Sequence, residues 1–483
     1  MRDHILLYIN GRRHQVAGSD ALVSLSDFLR LRLGLAGTKI VCSEGDCGSC
    51  TVLVGRPEGD RLRYRPIDSC IQWMFQLDGT HVVTVEGLNG CNGHLTPVQN
   101  AMVDCHGSQC GFCTPGFVVA MTGLLEERDA IADEDWRLGL TGNLCRCTGY
   151  VPIVDAGRSL DAGAAKRINE LYPPAAMLAD FASSAGDSTV VEATAFGRTR
   201  RFFGPTTLAE TVAILKKHPQ AKIVAGATDV GVQLNKGVID PDVFVDLNRV
   251  VELTGSAIES SADGDVLIAG ARATWTEIES LVRDSVPEFH RIVTIFGSPQ
   301  IRHAGTIGGN IINASPIADS LPFLMVAEAE LEIDGPSGVR TVPINGFYQG
   351  YKKFDLRPGE LLARVRIPLP DPDDLLRLVK VSRRRDLDIA TFTAAIWMRL
   401  DGERIADARI AFGAVGPVVI RARQTEDFLR GQPFDEATMR AAGDVAVGEI
   451  TPISDVRGSA EYRYQLTRNV LVKFYLEQAL VGV

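Results

Sequence analysis

The chain has 483 residues, a formal net charge of −10 and 45% hydrophobic residues. That is enough apolar material for about three domains with their own cores, which excludes a largely disordered chain. No block of Lys and Arg offsets the acidic balance, which argues against nucleic acid or an anionic membrane as a partner. No stretch reaches the roughly 18 uninterrupted apolar residues of a membrane span, and the N-terminus lacks a signal peptide's apolar core. Arg12-Arg13 runs into residues too polar for an export signal. The cytoplasm, where clustered thiols are reserved for metal, is the expected compartment.

In chain order, Ile5 to Val16 reads as two short strands around Asn10-Gly11, a dipeptide that favours a two-residue hairpin. A helix capped by Ser26 is expected next, with Phe28, Leu29, Leu31 and Leu33 as its apolar face. A loop from about Lys39 then carries Cys42, Cys47 and Cys50, the C-x4-C-x2-C spacing of a plant-type [2Fe–2S] site, with Cys70 as a fourth thiol downstream. The run Glu44-Gly45-Asp46-Cys47-Gly48-Ser49-Cys50 sets small residues where backbone N–H groups must turn toward anionic sulfur. Structural zinc is the alternative, although it favours paired CxxC knuckles, which this set lacks. Thr51 to Val54 reads as a strand, Cys70 opens a helical run through Phe75 whose apolar residues are core, and His81 to Val85 is a closing strand. The pattern suggests a β-grasp domain.

Helices are expected from Thr96-Pro97 and from Thr114-Pro115. Between and after them lie Cys110-x2-Cys113 and Cys145-x-Cys147. The CxC pair is too tight for an ordinary zinc knuckle but can hold one iron of a binuclear cluster. A two-plus-two set also occurs in zinc ribbons, so zinc stays open for this set taken alone. Phe117 to Leu125 is apolar enough to be buried, and a four-helix domain around the second set fits. All ten cysteines fall between Cys42 and Cys147. Cys91 and Cys105 belong to neither set and read as buried free thiols. His94 and His106 read as surface or capping residues.

The stretch from Cys42 to Cys50, the run Gln109-Cys110-Gly111-Phe112-Cys113-Thr114-Pro115-Gly116 and the run Asn143-Leu144-Cys145-Arg146-Cys147-Thr148-Gly149-Tyr150 resemble, in this order, the iron–sulfur part of the molybdenum hydroxylases, the xanthine dehydrogenase family. The resemblance implies two 2Fe–2S clusters, on Cys42, Cys47, Cys50 and Cys70 and on Cys110, Cys113, Cys145 and Cys147. It also matches Gln109 to a family residue that touches the pterin.

From about Ala162 to Thr199 the composition turns to Ala, Ser, Gly and Pro, as in a linker. Ordered structure restarts near Arg201, with a helix from about Leu208 to His218. Ile223-Val224-Ala225-Gly226-Ala227-Thr228-Asp229-Val230-Gly231 is a strand entering a glycine-bearing turn that could face a diphosphate or could be a plain turn. Ala304-Gly305-Thr306-Ile307-Gly308-Gly309-Asn310 is a second glycine-rich loop suited to close approach of backbone to phosphate. Both loops, with the continuation to Asp319, resemble the FAD domain of the same family and imply a vanillyl-alcohol-oxidase-like fold. The resemblance assigns FAD contacts to Ile223, Val224, Ala225, Gly226, Ala227, Thr228, Asp229 and Val230, to Phe296, to Thr306, Ile307, Gly308, Gly309 and Asn310, and to Asp319, Leu362 and Lys380. By its own composition the run from Lys380 to Asp388 is a solvated loop. Its family counterpart lies near the flavin and tunes NAD access, and here Leu387 interrupts the usual acidic pair. Alternation at Ala394 to Leu400 and Ala408 to Phe412 suggests a sheet, followed by helices.

The expected layout is α+β and multidomain: a plant-type 2Fe–2S ferredoxin domain over 1–87, a helical 2Fe–2S domain over 88–161, a linker over 162–199, an FAD-binding domain over 200–372 and a small C-terminal α+β flavoprotein domain over 373–483. The resemblance is to the iron–sulfur/FAD small subunit of xanthine dehydrogenases. It implies an oxidoreductase that takes electrons from purine hydroxylation, hypoxanthine to xanthine to urate, through the clusters to FAD and then NAD. The alternatives are the same relay in a hydroxylase of an aldehyde or another N-heterocycle, and a zinc-stabilised scaffold. The chain leaves no room for the molybdenum cofactor, which is expected on a large partner subunit together with the small-molecule substrate. A hetero-oligomer is therefore expected, with no catalytic residue on this chain.

Overall fold

The computed structural model describes residues 1–88, 93–163, 165–195, 197–262 and 264–481. The backbone packs as two units, Met1–Val251 with Ser298–Gly305, and Glu252–Gly297 with Thr306–Val483.

Unit 1 begins with β1 (Ile5–Ile9), β2 (Arg12–Val16), β3 (Thr51–Glu58), β4 (Arg61–Asp68) and β5 (Thr80–Val83), in the order β2-β1-β5-β3-β4, with β1 and β5 parallel. Asn10 and Gly11 both have positive φ, 48° and 77°, as the hairpin turn between β1 and β2 requires. The helix expected from Ser26 starts at Ser24 instead, whose hydroxyl accepts from the Asp27 N–H. Ser24 pairs with Trp73 in an isolated bridge, and this holds both residues extended. The same pairing explains why the run after Cys70 is not a continuous helix: only Met74–Leu77 forms a 3-10 turn. Met74 and Phe75 are nevertheless core.

Four helices follow, Pro97–Asp104, Thr114–Glu127, Asp133–Gly139 and Val151–Arg158. Thr96 and Gln99 cap the first reciprocally. The second has Cys113, not Thr114, at its cap position. The stretch expected to be a linker is folded, as helices Ile168–Leu171 and Ala175–Ser183 and strand β6 (Thr189–Ala195). Its sparse apolar residues Ile168, Met177 and Phe181 are all buried in the core of the four helices. Polar ties add to them: Tyr172 donates to the Gly87 carbonyl at 2.6 Å, and Asp180 accepts from Tyr8 and Arg13. Strands β7 (Arg198–Gly204), β8 (Lys222–Val224) and β9 (Val243–Asp246) complete a second sheet ordered β6-β7-β9-β8, with the helix Leu208–Lys217 capped by Thr207.

Unit 2 holds β10 (Ser256–Ser261), β11 (Gly264–Gly270), β12 (Glu330–Asp334) and β13 (Arg340–Pro343), a short hairpin of β14 (Tyr348–Gly350) and β15 (Lys353–Phe354), and β16 (Leu361–Pro368). The five-stranded sheet β10-β11-β16-β12-β13 packs against helices Trp275–Ser285, Pro287–Ile295 and Leu321–Val326. The expected C-terminal sheet and helices are present: β17 (Leu375–Val381), β18 (Phe392–Asp401), β19 (Arg404–Gly413) and β20 (Ile420–Arg421) share a core with helices Glu436–Val447 and Ala460–Val481. Among the described residues no helix is long and apolar enough to cross a membrane.

Two buried polar groups fix unit 1. Asp78 accepts from both Nη atoms of Arg2 at 3.1 and 2.7 Å, from Arg249 at 2.7 Å and from the Leu6 N–H at 2.8 Å. His81 is fully buried; its Nε2 accepts from the Gly11 N–H at 3.0 Å, so Nδ1 carries the proton and donates to Tyr64 Oη at 2.6 Å. Asp78→Ala leaves two largely buried guanidinium groups without their shared carboxylate and should cost about 3–5 kcal/mol, read as a lower urea midpoint. Burial pushes His81 down to about 4. The unfolded chain, with an ordinary histidine value of about 6.5, then binds the proton more tightly. The stability contributed by the neutral ring is therefore full above about pH 6.5 and is lost as pH falls toward about 4, by about 3 kcal/mol in total. Urea midpoints measured at pH 7 and pH 5 should fall accordingly, and less steeply in His81→Phe.

Candidate cluster and flavin sites

In the first thiol set Cys47, Cys50 and Cys70 are buried and Cys42 is half-buried, all as free thiols. Cys42 lies within hydrogen-bonding reach of Cys47 and Cys70, and Cys50 within reach of Cys70. Donation from Cys47 and Cys70 and from the amides of Glu44 and Asp46 holds Cys42 well below the ordinary thiol range. The Glu44 N–H approaches its sulfur at 3.4 Å. Cys47 and Cys70, the donors in these contacts and partly desolvated, are pushed up.

The second set lies at the surface, with Cys110 and Cys147 exposed and Cys113 and Cys145 half-buried. It meets in two pairs, Cys110 with Cys147 and Cys113 with Cys145. The Phe112 amide and the Cys147 thiol hold Cys110 down, whereas burial pushes Cys113 up to about 12. Against burial, the Thr148 hydroxyl, 3.1 Å away, and nearby amides hold Cys145 down. Phe112, Leu144, Tyr150 and Val151 are exposed around this set. Among the described residues no three or more His, Cys, Asp or Glu side chains converge as a single ion would require. Paired thiols with amide donors at sulfur suit a binuclear cluster, where each iron takes two thiolates. Cys105 is half-buried rather than buried, His94 and His106 are exposed, and Cys91 lies outside the described residues.

The two sets are joined directly. The Leu144 N–H, next to Cys145, donates to the Cys47 carbonyl at 3.0 Å, and Asn143 Nδ2 donates to the Gly48 carbonyl at 3.0 Å. The approach needs glycine. Gly48 has φ +65°, a Cβ on it would fall 2.3 Å from the Gly142 carbonyl oxygen, and a Cβ on Gly116 would fall 2.2 Å from the Gly48 oxygen.

The loop after β8 lies against the other flank of the first set. Gln76 and Asn248 donate to the Ala225 carbonyl and Gln72 to that of Gly226. Because a trans peptide opposes its C=O and N–H, this turns the amides that follow toward the opposite side. Ala227 has φ 58°. A Cβ on Gly231 would sit 2.3 Å from the Ile71 oxygen, and Asn235 Nδ2 donates to the carbonyls of Ser43 at 3.0 Å and Cys70 at 2.8 Å. Sequence reading missed Gln72, Gln76, Asn143 and Asn235; their one local signal is an amide side chain set in or beside an apolar run.

In unit 2, Thr306 caps the helix Ile307–Asn313 by accepting from the Gly309 N–H, while Ile307 and Gly308 donate to the Ala273 and Ala271 carbonyls. These three amides are thus already bound within the fold. The glycine at 308 serves the approach to Ala271, whose oxygen a Cβ would meet at 2.6 Å. Lys380 Nζ donates to Asp319 Oδ2 at 2.8 Å, both buried, and burial pushes Asp319 up. Asp319 Oδ1 is buried without a partner, which fits a hydroxyl or imide N–H of a flavin nucleotide. Phe296 is half-buried, edge-on to Trp275, and Leu362 is in the core on β16. Asp388 accepts from the Arg383 and Arg384 amides, which orders the arginine-rich loop. Gly48→Ala should destabilise unit 1 by about 2–3 kcal/mol through strain at positive φ and lower the iron bound per chain, read by denaturation and iron assay.

Three family models match the chain: "[2Fe-2S] binding domain" over residues 84–158, "FAD binding domain in molybdopterin dehydrogenase" over 195–370 and "CO dehydrogenase flavoprotein C-terminal domain" over 377–478. Xanthine dehydrogenase 1 of Arabidopsis thaliana is 31% identical over 98% of this chain, which spans 39% of that protein's length. Quinoline 2-oxidoreductase from Pseudomonas putida 86 has a chain with 32% identity and a TM-score of 0.52, covering 57% of this chain and 94% of its own. Carbon monoxide dehydrogenase from Hydrogenophaga pseudoflava, in a form lacking the Mo-pyranopterin moiety of its cofactor, has a chain with 29% identity and a TM-score of 0.53, with 56% and 94% covered. The matched 2Fe–2S domain spans the second thiol set and the matched FAD domain spans both glycine-bearing loops, and the chain belongs to the molybdenum hydroxylase family.

Proposed function

We propose that this chain is the electron-transfer subunit of a molybdenum-dependent, NAD-linked xanthine dehydrogenase of the cytoplasm. Cys42, Cys47, Cys50 and Cys70 would hold one 2Fe–2S cluster and Cys110, Cys113, Cys145 and Cys147 the other. By the family resemblance, FAD would be held by residues 223–230, Phe296, residues 306–310, Asp319, Leu362 and Lys380. When bound, the clusters carry single electrons and FAD collects two and yields them to NAD as a hydride. In this reading the first sheet is a β-grasp, the flavin part is vanillyl-alcohol-oxidase-like, and the domains keep the bounds expected from the sequence, except that 162–199 is folded structure and not a linker.

The observation that carries this reading is the position of the first thiol set. It touches the second set through the Leu144–Cys47 hydrogen bond and the 223–235 segment through Asn235 and Gln72. The amides of Glu44 and Asp46 stabilise thiolate at Cys42, and the Phe112 amide does so at Cys110. Lys380 balances the charge of Asp319, whose free oxygen can accept from the flavin nucleotide. The exposed apolar side chains around the second set suit a large subunit bearing the molybdenum cofactor and the purine. The likeness to quinoline 2-oxidoreductase favours a second reading, the same relay serving a hydroxylase of another N-heterocycle or of an aldehyde.

Anaerobic visible absorption and EPR of the dithionite-reduced chain, with iron, zinc and flavin assayed on the same sample, test the relay. Two distinct 2Fe–2S signals with about one FAD per chain are expected. A colourless, zinc-bearing protein would show instead a scaffold without redox function. Asp319→Ala should lower flavin content and leave both cluster signals in place.

A further inference from the structure

We infer that Gln300 is a positioning residue that fixes the two thiol sets relative to each other. This rests on reading both sets as cluster ligands. Gln300 lies far from either set in sequence, on the short helix Pro299–Ala304, within the single segment Ser298–Gly305 that the later part of the chain contributes to unit 1. Its side chain reaches the junction of the two thiol loops. Nε2 donates to Asn143 Oδ1 at 2.9 Å and to Thr51 Oγ1 at 3.3 Å.

Each of those partners belongs to one loop. Asn143 lies two residues before Cys145, and Thr51 directly follows Cys50. Asn143 Nδ2 and Thr51 Oγ1 both donate to the Gly48 carbonyl, at 3.0 and 2.6 Å. Gln300, Asn143 and Thr51 are 1%, 2% and 3% exposed, so water does not compete for these bonds. Loss of the Gln300 donor would leave Asn143 Oδ1 buried and unpaired, and rotation of the Asn143 amide to relieve this would break its bond to Gly48. The orientation of Gln300 is itself fixed. Its Oε1 is buried without a hydrogen-bond partner and packs against Gly142, where a Cβ would come within 2.1 Å; a flipped amide would set Oε1 against Asn143 Oδ1. Gln300 therefore acts on the gap between the loops while touching no cysteine.

The test compares wild-type, Gln300→Leu and Gln300→Glu in the full chain, loaded with iron and reduced with dithionite. The dipolar frequency between the two reduced clusters, which falls with the cube of their separation, is read by pulsed EPR. Gln300→Leu removes the donor, and Gln300→Glu keeps the shape but sets a carboxylate oxygen against Asn143. Both should retain two cluster signals and show a lowered or broadened dipolar frequency. Gln300→Met, of similar length and volume, carries the test if the leucine variant does not fold. Asp78→Asn, which weakens unit 1 elsewhere, should lower the melting temperature and leave the frequency unmoved. A wild-type frequency in folded Gln300 variants, or an equal change in Asp78→Asn, would overturn the positioning role. A wild-type chain without two cluster signals would overturn the cluster reading, and this inference with it.

Discussion

Thiolates gathered close together repel one another, and unit 1 brings eight cysteines into two neighbouring sets with mostly uncharged amides around them. The contact on which the rest depends is at Gly48. Its carbonyl accepts from Asn143 and Thr51, and its Cα admits Gly142 at a distance that no side chain allows. Neutral amide donors are well suited to this place because they satisfy buried carbonyls between the loops without adding a charge that would need solvation of its own. The same device recurs on the other flank, where Gln72, Gln76 and Asn235 tie the 223–235 segment to the first thiol set.

Exposure is graded along this arrangement. The second set is at the surface among apolar side chains, and the first is mostly buried between the second set and the segment that follows β8. Burial shields a redox centre from solvent and sets its potential, while an exposed centre can approach a partner closely. In unit 2 the buried Lys380–Asp319 pair has a different character. A salt bridge with one unpaired carboxylate oxygen is costly unless a ligand completes it, which is a physical reason to place a flavin there.

Much of this was legible in the sequence wherever the signal was local. The spacing of Cys42, Cys47 and Cys50, the Asn10-Gly11 turn and the Thr96 cap each depend on residues a few positions apart, and each has its structural counterpart. What escaped is non-local. Ser24 takes the cap expected of Ser26 because Trp73, far along the chain, pairs with it. The stretch expected as a linker folds because three scattered apolar side chains find a core built by other helices. The amides of Gly308 and Gly309 donate to Ala271 and Thr306, and the Ala271 partner is set by the tertiary fold alone. Gln300 carried no local signal at all, since its partners come from two other loops.

The proposed relay sets the first thiol set between the second and the flavin. The most direct test is anaerobic photoreduction of the flavin in the full chain followed by freeze-quench EPR, with Cys147→Ser used to identify the signal of the second set. The first-set signal should rise before that of the second set, and Cys42→Ser, which removes the intervening cluster, should slow reduction of the second set. Reduction of the second set ahead of the first, or at an unchanged rate in Cys42→Ser, would contradict this relay.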